Sequence, residues 1–178
     1  MSSQGSETER KSASDLILIG LGANLPGNFD TPRQALEAAL LRLESAGLRV
    51  IARSRIWRSR PVPVSDQPWF ANAVAAIETE LAPAALLALL HRLEDEFGRV
   101  RTVRNAPRVL DLDLLAYGRL VQGGLEPPLL PHPRLAERAF VLLPLADIAA
   151  DWVHPVSGAP LCNLIACLSA DQEAIAED

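Results

Sequence analysis

Two aspartates, Asp111 and Asp113, interrupt an apolar stretch of the chain that runs from Val109 to Leu115. Side chains of a β-strand alternate between its two faces, so these carboxylates are expected on the same face. Neighbouring carboxylates repel each other unless a cation lies between them. Oxygen ligands of this kind suit Mg²⁺, which commonly shares its coordination shell with water and substrate phosphates. The spacing therefore favours a magnesium site over two solvated aspartates on an exposed strand face.

A series of arginines precedes this aspartate pair. Between Gly98 and Pro107 the chain is predicted to form a loop, which leaves guanidinium groups free to close on a ligand. A guanidinium fork matches phosphate oxygens, and metal-bound phosphates flanked by arginines are the arrangement used for phosphoryl transfer. The alternative is a basic loop that is only solvated. The arginines are Arg92, Arg99, Arg101, Arg104 and Arg108.

Two further pairs of residues have types that suit ligand binding. His91 and Glu94 are three residues apart on a predicted helix, so they share one face that could reach the same pocket. Phe70 and Asn72 are two residues apart on a predicted strand and face one side of it. An aromatic ring beside an amide suits a flat heterocycle, stacked on its face and hydrogen-bonded at its edge. Residue types alone also fit ordinary surface contacts for the first pair and a core Phe with a surface Asn for the second.

Composition limits the classes of protein to which this chain can belong. Its 178 residues, 49% hydrophobic and 22% charged, are enough for one compact domain. The net charge of −5 argues against a protein built to coat nucleic acid. No apolar run reaches the roughly 18–20 residues that a membrane span needs. Cys162 and Cys167 lack metal-site spacing, and we expect them to be small core residues in a reducing compartment, the cytoplasm.

The two ends of the chain differ in composition from its centre. Residues 1–14 are polar, carry both charge signs and have no apolar signal core, so a disordered tail is predicted there. Residues 15–170 are predicted to form a single domain. Residues 171–178 are rich in carboxylates and are predicted to form an acidic tail.

Hydrophobic patterns divide the predicted domain into strands and helices. The apolar run 16–21 is typical of a buried strand, and Thr31, Pro32 and Gln34 mark a helix start with a capping box. Partial alternation over 48–57 indicates a half-exposed strand. The other predicted strands are 70–79 and 109–117, and the other predicted helices begin at Pro83 or cover 134–150 and 160–169.

The predicted order of elements is strand, helix, strand, strand, helix, strand, followed by helical additions. This is the split βαβ pattern of the ferredoxin-like fold, an α+β fold in which an antiparallel sheet packs against helices on one face. Gly20, Gly22 and Gly27 lack the spacing of a phosphate-binding loop and are interpreted as the exit of the first strand.

Several stretches of the sequence, taken together, carry a family resemblance. They are Leu-Gly-Ala-Asn-Leu at 21–25, Asp-Gln-Pro-Trp-Phe-Ala-Asn-Ala-Val at 66–74, Gly-Arg-Val-Arg at 98–101, Pro-Arg-Val-Leu-Asp-Leu-Asp-Leu at 107–114 and Pro-His-Pro-Arg at 131–134. The Pro-Arg-x-Leu-Asp-Leu-Asp stretch is highly specific. In this order, over residues 16–160, the chain resembles the 6-hydroxymethyl-7,8-dihydropterin pyrophosphokinase family of folate biosynthesis.

The resemblance implies a reaction and a set of site residues. The family transfers the terminal diphosphate of ATP, its co-substrate, to the hydroxymethyl group of the pterin and releases AMP, with two Mg²⁺ ions as cofactors. It implies that Asp111 and Asp113 hold the metals and that Arg99 and Arg108 are catalytic. The implied ATP contacts are His91, Glu94, Arg101, Arg104, His132 and Arg138, and the implied pterin contacts are Val62, Phe70, Asn72 and Phe140.

The chain departs from the family pattern in the loops near the implied site. Ser59-Arg60 stands where a Thr-Pro pair is usual, and Asn105 stands where a Trp is usual. Pro127 occupies the position of an arginine. Both aspartates and both catalytic arginine candidates are present, so we expect an active enzyme.

Two other functions compete with this one. A ferredoxin-like RNA-binding module needs a pair of exposed sheet aromatics and a basic surface, which the predicted strands and the net charge do not provide. A metal-dependent phosphoesterase would use the same aspartates but would not depend on a pterin. We expect a cytoplasmic monomer that binds ATP and the pterin, with no nucleic-acid, membrane or obligate protein partner.

Overall fold

The computed structural model describes residues 12–98 and 107–177 of the chain. These residues form strands and helices together with two short 3₁₀ turns, Ala13–Asp15 and Leu135–Glu137. The strands are β1 (Ile17–Ala23), β2 (Arg49–Arg53), β3 (Trp57–Ser59), β4 (Phe70–Glu78), β5 (Asp111–Tyr117) and β6 (Ala174–Ala176), and the helices are α1 (Pro32–Ser45), α2 (Pro83–Glu96), α3 (Ala139–Ile148) and α4 (Leu161–Ala166).

The strands join one antiparallel sheet in the order β5-β1-β4-β3-β6, with β2 also paired to β4. Chain order and strand order together confirm the predicted ferredoxin-like α+β arrangement. The strand predicted over 48–57 is divided into β2 and β3. The break occurs at Ser54, whose hydroxyl accepts the N–H of Val74 and donates to the carbonyl of Arg55.

Helices α1 and α2 cover one face of the sheet. The Thr31 hydroxyl accepts from the Gln34 N–H, as the predicted N-cap requires, whereas the Gln34 side chain accepts from the Asp30 N–H rather than from that of Thr31. Both helices bury a leucine stripe against alternate residues of β1, β4 and β5. The buried leucines are Leu36, Leu40 and Leu43 of α1 and Leu86, Leu90 and Leu93 of α2.

Helices α3 and α4, the predicted C-terminal helical additions, cover the opposite face. Leu18 of β1 and Val74 of β4 pack there against Leu142, Leu145 and other residues of a second core. The physical reason is that the central strands are apolar on both faces, and each face must be removed from water. The C-terminal helical additions therefore form a full layer of the fold.

The C-terminal segment differs from the acidic tail predicted for residues 171–178. Residues 174–176 form β6, which pairs with β3 at the edge of the sheet. The carboxylate of Glu173 lies 2.7 Å from Nε of Arg60, and that of Glu177 lies 3.4 Å from Nε of Arg58. Backbone pairing with β3 therefore holds this segment on the sheet, with two exposed ion pairs beside it. Residues 1–11 and 178, which belong to the two predicted tails, lie outside the described residues.

Cys162 and Cys167 are free and exposed, so the expectation that they are core residues is wrong. The segment around α4 packs through Leu161, Ile165 and Leu168, and neither cysteine lies on that stripe. None of the helices in the described ranges is long and apolar enough to cross a lipid bilayer.

Candidate active site

The register of the central strands brings the predicted polar residues together on one face. Gly22 of β1 pairs with Asp111 of β5 on one side and with Asn72 of β4 on the other. Gly20 pairs with Asp113. Residues directly opposite each other in antiparallel strands share a face. The two carboxylates and the amide therefore lie on the same face, on either side of a glycine-lined strand.

The two glycines form the floor of a cavity in this face. Leu18, two residues before Gly20, still carries a side chain that fills the second core. A Cβ at Gly20 would lie 3.3 Å from Cδ1 of Leu115, and a Cβ at Gly22 would lie 3.5 Å from Oδ1 of Asn72. Side chains at these positions would crowd Leu115 and cover the amide. The glycines lie within β1 rather than at its exit as interpreted, and they keep the cavity open.

Each aspartate of the cavity has an arginine beside it. Nη1 of Arg108 lies 2.7 Å from Oδ2 of Asp111, and Nη1 of Arg138 lies 3.6 Å from Oδ2 of Asp113. Burial lowers the pKa of Arg138, and the carboxylate of Asp113 opposes that shift. The guanidinium of Arg138 also lies 5.4 Å from the ring centroid of Phe140. Charges of both signs therefore line the cavity in contact with one another.

The donor set of the cavity fits a magnesium ion shared with a substrate. Two carboxylates two residues apart supply hard oxygen ligands, which Mg²⁺ prefers. Within residues 12–98 and 107–177, no cluster of three or more His, Cys, Asp and Glu side chains could hold a metal ion by itself. A metal here would therefore complete its shell with water and ligand oxygens, as Mg²⁺ does in nucleotide sites.

Asn24 fixes the backbone of Arg108 and was missed by the sequence analysis. Asn24 is 1% exposed. Its side-chain Oδ1 accepts the Arg108 N–H at 2.8 Å, and its backbone N–H donates to the Arg108 carbonyl at 3.0 Å. Its Nδ2 donates to Oε1 of Gln67 at 3.1 Å. Asn24 therefore ties the backbone just before β5 to the proline-rich loop, residues 60–69 between β3 and β4. The sequence signal that could have identified Asn24 is its place in the 21–25 stretch, which carries the family resemblance.

The amide of Asn72 is oriented by its neighbours. Asn72 is 3% exposed, and its Nδ2 donates to Oγ of Ser59 at 2.9 Å. Within the described part of the chain its Oδ1 accepts no hydrogen bond, and it lies above Gly22. This oxygen is consequently available to a ligand N–H. Apolar side chains that line the same cavity are Val62, Phe70 and Phe140.

His132 lies close to the charged side of the cavity. Its pKa is lowered to about 4, mainly by burial and also by charge repulsion from Arg138 and Arg134. Its Nδ1 accepts the Arg134 N–H at 3.1 Å. The ring is therefore neutral at neutral pH and carries its proton on Nε2, as assigned from this hydrogen bond. An N–H donor of this kind suits an anionic ligand.

Glu94 has a partner on the edge of the sheet rather than in the cavity wall. It is 1% exposed, and its Oε1 accepts the Leu112 N–H at 2.7 Å. Strand β5 is an edge strand, so its outward N–H groups need acceptors from elsewhere. His91 lies half-buried on the same helix. Neither residue lines the cavity, and their predicted contacts with ATP stay predictions.

Most of the predicted site residues that the structure describes converge on this single cavity. Arg99, Arg101 and Arg104 lie outside the described residues. The sequence analysis did not place Arg60 or Arg134 in the cavity, although both line it. The predicted residues that line it are Val62, Phe70, Asn72, Arg108, Asp111, Asp113, Arg138 and Phe140.

Several proteins of similar sequence have names that refer to folate synthesis. A 2-amino-4-hydroxy-6-hydroxymethyldihydropteridine pyrophosphokinase of Pseudomonas aeruginosa is 43% identical over 153 residues, which is 84% of this chain and 90% of that protein. The enzyme of the same name from Haemophilus influenzae is 43% identical over 141 residues, 78% of this chain and 84% of that protein. The folic acid synthesis protein fol1 of Pneumocystis carinii is 38% identical over 157 residues, and the chain spans 20% of its length.

Solved structures share the fold. The HPPK-DHPS of Plasmodium falciparum superposes with a TM-score of 0.66 at 14% identity, over 90% of this chain and 42% of that chain. The family model described as 7,8-dihydro-6-hydroxymethylpterin-pyrophosphokinase (HPPK) matches residues 18–150. That match covers most of the chain and includes the aspartate pair, both arginines beside it and the glycine floor. The chain therefore belongs to the 7,8-dihydro-6-hydroxymethylpterin-pyrophosphokinase family.

Proposed function

We propose that this cavity transfers the terminal diphosphate of ATP to the hydroxymethyl oxygen of 6-hydroxymethyl-7,8-dihydropterin and releases AMP. The observation that carries the proposal is one cavity with a carboxylate pair and arginines at one side and an oriented amide among apolar side chains at the other. The first side suits metal-bound phosphates and the second a flat heterocycle. As a family member, the protein is a pyrophosphokinase of folate biosynthesis.

On the phosphate side, Asp111 and Asp113 would hold the two Mg²⁺ ions that accompany ATP. Both carboxylates line the cavity from adjacent positions on one face of β5, at a spacing that suits ions shared with phosphate oxygens. When bound, the ions neutralise phosphate charge and hold the diphosphate in line for displacement.

Arg108 and Arg138 have partners that ATP would replace. In the structure their guanidinium groups lie against the carboxylates of Asp111 and Asp113. Phosphate oxygens accept from guanidinium groups in the same forked geometry as carboxylates. The arginines could therefore turn from carboxylate to phosphate when ATP binds, and Arg108 would stabilise the charge that develops on transfer.

On the pterin side, Asn72 provides the polar contact and aromatic rings provide the walls. Because Nδ2 of Asn72 donates to Oγ of Ser59, Oδ1 of Asn72 would face the cavity as an acceptor for an N–H of the pterin edge. Phe70 and Phe140 line the same space and would contact the ring faces. Val62 closes the apolar wall from the proline-rich loop.

The reaction needs no covalent enzyme intermediate. The hydroxymethyl oxygen attacks the β-phosphorus of ATP, the new oxygen–phosphorus bond forms, and the bond between the β-phosphorus and its oxygen bridge to the α-phosphorus breaks. AMP leaves with the electron pair of that bond, and the hydroxyl proton passes to solvent. The contribution of this chain is positioning and charge stabilisation.

The test is AMP release from ATP and Mg²⁺, measured with and without 6-hydroxymethyl-7,8-dihydropterin. We expect AMP and the pterin diphosphate to form in equal amounts, and only when the pterin is present. AMP or phosphate release that does not depend on the pterin would instead indicate a phosphoesterase. Absence of AMP in the complete mixture would contradict the proposal.

We further infer a cytoplasmic monomer. The free thiols of Cys162 and Cys167 are consistent with a reducing compartment. Residues of this chain supply both the phosphate side and the pterin side of the cavity, which supports the monomer. Sedimentation of the full chain at working concentration tests the monomer, and a stable dimer would contradict it.

A further inference from the structure

The side-chain amide of Gln172 binds the backbone on both sides of Arg138. Its Oε1 accepts the Ala139 N–H at 2.9 Å, and its Nε2 donates to the Glu137 carbonyl at 2.7 Å. These two peptide groups flank residue 138, whose backbone is extended with φ −114° and ψ 114°. A pair of bonds to one amide therefore fixes both backbone dihedrals of Arg138.

One of these two bonds caps the start of α3, which has no cap from its own N-cap side chain. Arg138 occupies the N-cap position, where Ser, Thr, Asp or Asn usually accepts a backbone N–H of the first turn. Arg138 makes no such side-chain bond, because its side chain extends to Asp113 instead. Gln172 supplies an acceptor for the first N–H of α3 from a distant part of the chain. Arg138 can thus occupy the cap position while its guanidinium serves the cavity.

Gln172 is itself held in place by the segment that follows it. The Glu173 carbonyl accepts the Arg60 N–H at 3.2 Å, and the Glu173 carboxylate pairs with the Arg60 side chain. Ala174 then pairs with Ser59, the residue that orients Asn72. One short segment therefore contacts the two walls of the cavity, the wall of Ser59 and the wall of Arg138.

We propose that Gln172 is a positioning residue for substrate binding, which acts by fixing Arg138 and the start of α3. This inference rests on the proposed function, because it assumes that Arg138 contacts ATP. Gln172 lies outside residues 18–150, the part of the chain that the family model matches. The role is therefore a property of this chain's own C-terminal segment.

The first measurement is the affinity of Gln172→Ala for the α,β-methylene analogue of ATP, which cannot be cleaved. Loss of two hydrogen bonds that hold a binding residue is expected to weaken this affinity about tenfold. Gln172→Glu keeps an acceptor for the Ala139 N–H but places a carboxylate oxygen against the Glu137 carbonyl, so its affinity should also be lower than that of the wild type. The control is Asp171→Ala in the same segment, whose carboxylate accepts from Ser169. It should bind as the wild type does.

A double-mutant cycle shows whether Gln172 acts through Arg138. In the Arg138→Ala background, Gln172→Ala should weaken binding of the analogue by much less than it does in the wild type. Circular dichroism and thermal unfolding report whether each variant is folded. If Gln172→Ala does not fold, Gln172→Glu carries the comparison, with the same requirement of non-additivity.

The outcomes separate this proposal from the proposed function. If the wild type releases AMP but Gln172→Ala and Gln172→Glu bind the analogue as tightly as it does, the positioning role is wrong. Equal losses in both Arg138 backgrounds would show that Gln172 does not act through Arg138 and would also contradict the role. A wild-type chain that neither binds the analogue nor releases AMP would overturn the proposed function, and this role with it.

Discussion

The two faces of the sheet are built from the same strands but serve different purposes. Under α1 and α2, the face is apolar along its whole length, and Leu112 and Leu114 of β5 are part of that core. On the other face, Asp111 and Asp113 of the same strand line the cavity. Because side chains alternate with a period of two, residues 111–114 of β5 contribute leucines to the core on one side and carboxylates on the other, where the cavity lies beside the second core.

The faces also differ in how they deal with charge. The described part of the α1 and α2 core holds one deeply buried carboxylate at its edge, Glu94, and that carboxylate has a backbone donor. The cavity face instead keeps aspartates and arginines in mutual contact in a half-buried setting. A charged cavity contributes less to folding than an apolar one, and this cost is typical of functional sites.

The largest expected effect comes from changing the cavity face alone. Asp111→Asn keeps the shape of the side chain but removes the charge that would hold a metal. We expect turnover to fall about a thousandfold, since a catalytic metal stabilises transition-state charge by several kcal/mol. Thermal unfolding should change little by comparison. Initial rates of AMP release across a range of Mg²⁺ concentrations measure this effect, and near-normal turnover at all of them would contradict the metal assignment.

The matched change on the other face is Leu112→Ala, one residue along the same strand. Leu112 is 2% exposed, and truncation of a buried leucine costs about 2–5 kcal/mol of the free energy of unfolding. We expect that loss in urea unfolding, while kcat of the folded fraction stays near the wild-type value. A variant that keeps its stability but loses turnover would break the separation between the two faces.

A smaller effect should follow from pH, because His132 titrates beside the cavity. Its pKa is about 4 in the folded chain and 6.5 in the unfolded chain. Between these values the unfolded chain binds more protons, so stability rises with pH. The contribution of His132 is complete above pH 6.5 and is lost as pH falls towards 4. The measurement is the free energy of urea unfolding of the wild type and of His132→Asn across this pH range. The difference between the two isolates the contribution of His132, and a difference that does not change with pH would contradict the lowered pKa.

Much of the fold could be predicted from the sequence because the signals were local. The cap residues Thr31 and Gln34, the leucine stripes and the apolar strands depend on contacts within a few residues. The second helical layer and β6 could not be predicted in the same way. Strand β6 is only three residues long, and it exists because β3 offers it a partner.

The arginines from Arg49 to Arg60 illustrate the same limit. Their spacing suggests no chemistry, but the structure pairs several of them with distant carboxylates. Nη2 of Arg55 lies 2.7 Å from Oδ1 of Asp147. Burial raises the pKa of Asp147, but hydrogen bonds from Arg55 and Trp57 outweigh burial and bring that pKa below its usual value. Arg49 pairs with Glu78 on the neighbouring strand. Partners remote in sequence leave no periodic pattern, so these roles emerge only from the folded chain.

The sequence by itself determined the chemistry of the site, since Asp111 and Asp113 share a face through the two-residue period of any strand. It also carried the family resemblance. Tertiary structure alone decided that Asn72 faces these carboxylates across Gly22, and that Gln172 holds Arg138. Strand register and the docking of a C-terminal segment depend on the packing of the whole chain. No local pattern of residue types encodes that packing.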